Sequence, residues 1–195
     1  MRQLLLATRN ANKTREFSEI LGNEFAVRDL SAEPNALAIE ETGSSFAENA
    51  ILKAVATSRR FPGLVVGDDS GLEVDALEGA PGVYSARYAG PGAKDSDNIA
   101  RLLSELSKVS IERPYSARFR CVLALARGGE LLGPFEGAVE GTIIEPPRGS
   151  GGFGYDPVFQ PTGLAETFGE ITPEKKNRIS HRANAIRLLR AALLN

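Results

Sequence analysis

The chain has 195 residues, of which 42% are hydrophobic and 25% charged, a composition that fits one globular domain or two small lobes and excludes disordered, collagen-like and coiled-coil proteins. Its 23 Lys and Arg against 25 Asp and Glu residues give a formal net charge of -2, which argues against a nucleic-acid polymer as partner. The single Cys121 cannot form an internal disulfide, and every charge-free stretch is too short to span a bilayer, so we expect a cytoplasmic protein with no membrane partner.

Charges are distributed unevenly along the chain. The ranges 29–52 and 61–86 each contain five acidic residues and no basic one, whereas 175–195 contains six basic residues and no acidic one. Acidic segments can bind a hard cation and a basic segment can bind an anion. The alternative is that all three ranges are solvated surfaces.

The first half of the chain begins with a strand and two helices. Residues 3–7 predict a short buried strand, and the polar loop 8–12 leads into a helix that stops at Gly22. A second helix begins where Ser45 and Glu48 have the spacing of a capping box.

A buried strand at 64–66 then runs into Gly-Asp-Asp-Ser-Gly at 67–71. We expect these five residues to form a tight turn that places Asp68 and Asp69 at the carboxyl end of the strand, where open α/β sheets bind ligands. Adjacent carboxylates repel each other unless a cation or hydrogen bonds stabilise them. The pair predicts a cation site or, alternatively, a solvated turn.

The second half predicts a helix over 96–107 and an alternating strand over 115–127 that places Cys121 in the core. Gly128 and Gly129 predict a hairpin turn, and a last helix begins near Ser180. These elements predict an α/β (mixed α+β) fold, with a central mixed sheet flanked by helices and an antiparallel meander in the second half.

Glycine motifs for phosphate binding are absent or out of context. Residues 149–154 match G-x-G-x-x-G, but Pro146 and Pro147 precede them and Asp156 with Pro157 follows, so the strand before and the helix after the motif are missing. The P-loop pattern is absent as well. The sequence therefore predicts neither a dinucleotide-binding fold nor a P-loop enzyme.

A different anion site is available at the first strand-to-helix junction. Thr8, Arg9, Asn10 and Lys13 offer polar and cationic groups beside a helix N-terminus, which favours an anion. The alternative is that the asparagine only caps the helix.

Two acidic pairs together could hold Mg²⁺, because Glu40 and Glu41 offer further carboxylates beside Asp68 and Asp69. The only histidine, His181, stands beside Arg182 near the predicted start of the last helix. A lone histidine is usually structural, but at a helix start it also suits contact with a ligand.

Six segments, spread over most of the chain, together resemble the inosine triphosphate pyrophosphatase family, house-cleaning enzymes that hydrolyse non-canonical purine nucleoside triphosphates. The matching sequences are Ala-Thr-Arg-Asn-Ala-Asn-Lys at 7–13 with Glu16; Glu-Thr-Gly at 41–43 with Phe46, Asn49, Ala50, Lys53 and Ala54; Asp-Asp-Ser-Gly-Leu at 68–72; Pro-Gly-Val-Tyr-Ser-Ala-Arg-Tyr at 81–88; Gly-Phe-Gly-Tyr-Asp-Pro at 152–157; and Ser-His-Arg at 180–182.

The resemblance implies an elongated fold of two lobes with an active-site cleft between them, so that 1–195 is a single pyrophosphatase domain, and it implies a homodimer. It also implies Mg²⁺-dependent cleavage of ITP, dITP or XTP to the monophosphate and pyrophosphate. Two alternatives remain: a related pyrophosphatase for other modified or canonical nucleotides, and a nucleotide-binding module without catalysis.

The resemblance further implies roles for individual residues. Asp69 would be a metal ligand and the base that activates water, with Asp68 in support. Glu40 would be the second metal ligand, and Glu41 is the alternative in this short loop. The implied phosphate contacts are Thr8, Asn10, Lys13 and Lys53, with Arg9 as an additional candidate where the family usually has Gly or Ser. The implied nucleoside pocket consists of Ser70, Phe153, Gly154, Tyr155, Asp156, Lys176, His181 and Arg182.

Overall fold

The computed structural model describes residues 2–33 and 39–194. Within these ranges the chain forms six β-strands: β1 (Arg2–Leu6), β2 (Phe25–Asp29), β3 (Leu64–Val74), β4 (Tyr115–Arg127), β5 (Glu130–Ile143) and β6 (Phe159–Pro161). It also forms five α-helices: α1 (Ala11–Leu21), α2 (Phe46–Ser58), α3 (Asp95–Leu106), α4 (Pro173–Ile179) and α5 (His181–Leu194). The predicted α/β class is confirmed.

The six strands form one mixed sheet in the order β2-β1-β3-β4-β5-β6. β1 is parallel to both β2 and β3, whereas β5 and β6 are antiparallel. The predicted mixed sheet is therefore confirmed, and its antiparallel part lies in the second half of the chain, as the hairpin signals indicated.

The tight turn expected at 67–71 is wrong. β3 continues through this stretch as one strand of 11 residues, so Asp68 and Asp69 lie inside it. β1 pairs with the range 64–66 of β3, and β4 is the neighbour on the other side of β3. The two aspartates follow the residues of β3 that pair with β1, but they lie inside β3 and not at its carboxyl end as expected.

A close approach of α2 explains the glycine that suggested this turn. A Cβ atom on Gly67 would overlap the backbone carbonyl oxygen of Ala50. Gly67 therefore allows the helix to pack against the strand, and a glycine at this position does not indicate a turn.

Most predicted helices and their caps are confirmed. The Asn10 side chain caps α1 by accepting from the backbone N–H of Asn12 at 3.0 Å, and Gly22 ends the helix. The capping box of α2 is only half formed, since Ser45 accepts from Glu48 N–H whereas the Glu48 carboxylate accepts from Ser44 N–H. β2, β6 and α4 were not predicted.

Contacts divide the chain into two compact units. Unit 1 comprises the described part of Met1–Asp69, Cys121–Gly137 and Arg182–Asn195, and unit 2 comprises Ser70–Arg120 and Ala138–His181. Each has its own apolar cluster, the first including Leu6, Phe17 and Ile186 and the second including Leu72, Leu102 and Phe159. Among the described residues, none of the helices has the length and apolar character needed to cross a membrane.

Candidate active site

The carboxyl end of β1 defines the candidate site in unit 1. The backbone N–H of Ala7 donates to the carbonyl of Val66 at 2.8 Å, and the loop 8–10 and the aspartate pair of β3 follow these two residues in the sequence. Loops at this edge of parallel strands are where α/β sheets bind ligands. The predicted phosphate loop and both aspartates therefore begin at the same end of the paired residues of β1 and β3.

Asp68 lies in a buried cluster of alternating charges, which we call the Asp68 cluster: Lys13, Glu16, Asp68 and Arg182. The Lys13 ammonium pairs with Oδ1 of Asp68, and Arg182 Nε donates to Oδ2 at 2.9 Å. Arg182 also donates from Nη1 to Oε2 of Glu16 at 2.6 Å. Because Asp68 and Arg182 are 2% and 1% exposed, their charges depend on each other for stabilisation.

The cations of this cluster keep Asp68 ionised. Burial raises the pKa of Asp68, but the opposing charges of Arg182 and Lys13 outweigh it and hold the pKa well below its usual range. Cys121, correctly predicted to be a core residue, also touches this carboxylate, with Sγ at 3.5 Å from Oδ2. Burial raises the pKa of the Cys121 thiol, so the protonated thiol is the donor.

Asp69 has a separate set of partners, which we call the Asp69 cluster: Glu41, Asn49, Lys53 and Asp69. Lys53 Nζ donates to Oδ1 of Asp69 at 3.2 Å and to Oε1 of Glu41 at 2.7 Å. Asn49 Nδ2 donates to Oδ2 of Asp69 at 3.1 Å. Burial and the nearby Glu41 charge raise the pKa of Asp69, although Lys53 and Lys13 oppose them. A raised pKa makes this carboxylate a better proton acceptor than an ordinary aspartate.

The two glutamates considered for metal binding differ in the structure. Glu40 is exposed, whereas the Glu41 carboxylate shares the Lys53 ammonium with Asp69. Burial lowers the pKa of Lys53, but Asp69 and Glu41 outweigh it and raise the pKa, so Lys53 remains cationic. Two carboxylates already converge on a cation here, a donor set that suits a hard metal ion. The role of Glu40 stays a prediction.

The remaining residues of the predicted phosphate loop lie at the start of α1. Thr8 Oγ1 accepts from Asn10 N–H at 3.1 Å, and Asn10 is exposed at the N-cap position. Arg9 is exposed. Asn10 thus has the capping role, and the phosphate contacts of these three residues stay predictions.

The residues predicted for the nucleoside pocket, apart from Arg182, belong to unit 2. Asp156 and Lys176 are buried, and Lys176 Nζ donates to Oδ2 of Asp156 at 2.6 Å. The same oxygen accepts from Phe153 N–H at 2.9 Å. The Lys176 ammonium lies 4.7 Å from the centre of the Phe153 ring. Asp156 therefore organises an aromatic ring and a cation into one compact group.

Other residues of this predicted pocket have clear structural partners. Tyr155 donates from its hydroxyl to the Ser85 carbonyl at 2.9 Å, and burial raises its pKa, so it stays neutral. Gly154 N–H donates to Asp95 Oδ2 at 2.6 Å. His181 stacks on Phe119 with ring centres 4.8 Å apart. Ser70, the first residue of unit 2, is half-buried in β3.

Arg182 lies in unit 1 with the Asp68 cluster, while the other predicted pocket residues lie in unit 2. Its contact with the base stays a prediction. Glu16 and Asn49 lie in the segments that carry the resemblance, but the sequence predicts no role for either. The position of Glu16 indicates a charged partner, because it lies three residues after Lys13 on the same helix and just before the buried Phe17.

The ionisation of Asp68 predicts a specific dependence of stability on pH. A lowered pKa in the folded state stabilises the protein above the unfolded pKa of about 3.9, and this stabilisation is lost as the pH falls below it. We expect Asp68→Asn to reduce the difference in unfolding free energy between pH 7 and pH 3 by about 1 kcal/mol. Urea titrations at several pH values measure this. An equal reduction in Asp75→Asn, whose carboxylate is exposed, would contradict the assignment.

Comparisons with known proteins agree with the resemblance carried by the six segments. The model of the Ham1 family matches residues 4–192. The dITP/XTP pyrophosphatase of Geobacillus kaustophilus is 51% identical over 187 residues, which cover 95% of this chain and 91% of that protein. The dITP/XTP pyrophosphatase of Bacillus subtilis is 47% identical over 190 residues, covering 97% and 96%.

A solved structure extends this similarity to the fold. The HAM1 protein from Coxiella burnetii has a TM-score of 0.88 and 39% identity, and the alignment covers 100% of this chain and 99% of that one. The family match, the sequence identity and the fold agree over nearly the full length. The chain belongs to the Ham1 family.

Proposed function

We propose that the protein hydrolyses the non-canonical purine nucleoside triphosphates ITP, dITP and XTP to the monophosphate and pyrophosphate, and so removes them from the nucleotide pool. The relatives that are named dITP/XTP pyrophosphatases support the substrate class. The observation that carries the proposal is the Asp69 cluster. In it, the Asp69 carboxylate, whose pKa is raised, lies beside the buried Lys53.

The charges at this site suit a triphosphate, which carries about four negative charges and needs positioning and charge stabilisation for attack at phosphorus. Lys13 and Lys53 offer two ammonium groups, one on each aspartate. The N-terminus of α1, which Asn10 caps, adds the positive end of a helix dipole. In the proposed complex these groups bind the phosphate chain.

Asp69 is the proposed base. Its carboxylate takes a proton from water, the water oxygen forms a bond to one phosphorus of the α–β anhydride, and the bond from that phosphorus to the bridging oxygen breaks. The products are the nucleoside monophosphate and pyrophosphate. Asn49 and Lys53 hold the two carboxylate oxygens in place for this step.

We also propose that the reaction depends on Mg²⁺, which would be held by Asp69 and one glutamate of the pair Glu40 and Glu41. The shared contact with Lys53 favours Glu41. When bound, Mg²⁺ neutralises phosphate charge and polarises phosphorus–oxygen bonds. Among the described residues no set of three or more carboxylate, imidazole or thiol groups forms a metal cluster. Two carboxylates, completed by water and substrate phosphates, are a common arrangement for Mg²⁺.

The group around Asp156 in unit 2 is the proposed site for the base. Inosine and xanthosine have a carbonyl acceptor at C6 where adenosine has an amino donor, and Lys176 has only donors. The Phe153 ring can stack on the base. A site that donates to the C6 oxygen rejects adenosine because donors are then left facing donors.

The test is pyrophosphate release from a panel of ITP, dITP, XTP, ATP, GTP and pyrimidine triphosphates, with Mg²⁺ and with a chelator. We expect the first three to react and the chelator to abolish release. Preference for a pyrimidine or canonical nucleotide would instead favour the related pyrophosphatase. Nucleotide binding without any pyrophosphate release would favour the non-catalytic module.

Lys13→Ala tests the phosphate site. We expect the KM for ITP to rise about tenfold or more, because one charge-assisted contact is removed. Binding of the monophosphate product should weaken less, since the contact is to the phosphate chain. Arg15→Ala, on the exposed side of the same helix, is the matched control and should leave KM unchanged. If the binding of ITP and of the monophosphate weakens equally, Lys13 does not contact the phosphate chain.

We further propose a homodimer located in the cytoplasm, as the family resemblance implies. Sedimentation equilibrium measures the first part directly. A mass of one chain, 20.8 kDa, over the working concentration range would contradict the dimer.

A further inference from the structure

Asn49 is a buried amide on α2 whose side chain contacts Gly43 and Asp69. Its side chain is fully buried, at 0% exposure. Oδ1 accepts from the backbone N–H of Gly43 at 2.8 Å, and Nδ2 donates to Oδ2 of Asp69 at 3.1 Å. One side chain thus connects the segment that carries Glu41 to the aspartate of the Asp69 cluster.

The chemistry of these partners fixes the orientation of the amide. A backbone N–H can only donate and an ionised carboxylate can only accept, so Oδ1 must face Gly43 and Nδ2 must face Asp69. The amide cannot turn over without leaving two buried groups unpaired. Asn49 therefore holds Oδ2 of Asp69 with a neutral donor, while Lys53, one helical turn later, holds Oδ1.

Close packing around the amide leaves little freedom for either partner. A Cβ atom on Gly43 would lie 2.7 Å from Asn49 Oδ1 and 2.6 Å from Glu48 Cβ, so glycine lets the backbone approach. The absence of a side chain at Gly67 lets α2 approach β3 closely, two residues before Asp69. These two contacts set the position of the Asn49 amide relative to the carboxylate.

We infer that Asn49 is a positioning residue for the reaction, an assignment that rests on the proposed function. It acts through Asp69: by engaging Oδ2 it fixes the plane of the carboxylate, and by engaging Gly43 it ties the Glu41 segment to the same group. Without it Asp69 loses the donor to Oδ2, and the Glu41 segment loses the acceptor for Gly43 N–H. The loss falls on turnover more than on substrate affinity, since Asn49 touches neither phosphate nor base in this arrangement.

Two substitutions separate this role from simple packing. Asn49→Ala removes both hydrogen bonds. Asn49→Asp keeps the size and the acceptor for Gly43 N–H but places a carboxylate oxygen against Asp69. We expect both to lower kcat on ITP by about 10- to 100-fold, as is typical for groups that orient an active-site carboxylate, with KM within threefold. In the background of Asp69→Asn, Asn49→Ala should lower the residual kcat by less than threefold, because its target is already absent.

Asn98→Ala is the matched control. Asn98 is also buried on a helix, accepts from Ala89 N–H at 2.8 Å and donates to the Ala86 carbonyl at 3.3 Å, but it belongs to unit 2. We expect it to lower Tm about as much as Asn49→Ala does while kcat changes less than threefold.

Several results would overturn the inference. If the wild-type protein hydrolyses ITP and both Asn49 variants keep kcat within threefold, the inference fails and the proposed function stands. The inference also fails, and the proposed function stands, if the kcat losses from Asn49→Ala and Asp69→Asn multiply in the double variant. The same conclusion applies if neither Asn49 variant folds, because the amide is then a structural group. A folded wild-type protein without activity on any nucleotide removes the proposed function, and the inference with it.

Discussion

Asp69→Asn should lower kcat for ITP by about 10²- to 10⁴-fold, the usual contribution of a general base, and leave the fold intact. The amide has the shape of the carboxylate but cannot take the proton from water. Burial raises the pKa of Asp69, so its negative charge is less favourable in the folded state than in the unfolded chain. Lys53 keeps Glu41 as a partner after the change. The substitution should therefore remove activity at little cost in stability.

Steady-state kinetics with ITP and thermal melts of the same preparations measure both parts of this prediction. Asp75→Asn is the control, because it removes one negative charge from an exposed aspartate just after β3. We expect the control to keep its activity. A kcat for Asp69→Asn within tenfold of the wild type, a difference in barrier of about 1.4 kcal/mol, would show that another group is the base.

The sequence predicted elements well where the pattern was local. The bounds of β4 agree with the alternating stretch 115–127, and α3 at Asp95–Leu106 lies within one residue of the helix expected at 96–107. Both signals depend on the periodicity of a single element. By contrast, β2 and β6 are short, with five and three residues, and too few positions alternate to give a signal.

The aspartate pair shows why the site was predicted only in part. Two adjacent acids flanked by glycines favour a turn, yet Gly67 serves the packing of α2, a contact that local sequence does not reveal. Because the pair lies in a strand, successive side chains point to opposite faces of the sheet. Asp68 accordingly meets Lys13 and Asp69 meets Lys53. The pKa of Asp68 is lowered and that of Asp69 is raised because the two side chains lie on opposite faces of the sheet and meet different partners.

Partners of the charged residues were the least predictable feature. Arg182 from the basic range 175–195 pairs with Asp68 from the acidic range 61–86, so these ranges are not solvated throughout. Which base meets which acid depends on helix positions that are fixed by packing. Arg190, on the same helix as Arg182, pairs with Glu24 at the surface instead.

Arg182→Ala should lower the free energy of unfolding by about 3–5 kcal/mol, the usual cost of removing one partner from a buried ion pair. Arg182 is 1% exposed and is shared by Asp68 and Glu16. Its removal leaves two buried carboxylates with Lys13 as the nearby cation of the Asp68 cluster. Urea unfolding of the wild type and the variant at pH 7 measures the difference.

Arg190→Ala is the control for this experiment, because it removes the same side chain from an exposed pair, with Nη2 2.7 Å from Glu24 Oε2. Exposed ion pairs contribute about 0–1 kcal/mol, so the two variants should differ by several-fold in their effect on stability. Measuring catalytic efficiency with ITP and ATP in Arg182→Ala then separates its two roles. A stability loss no larger than that of Arg190→Ala, together with a lower ratio of ITP to ATP efficiency, would show that Arg182 reads the base and that Lys13 alone is sufficient to stabilise the buried Asp68 carboxylate.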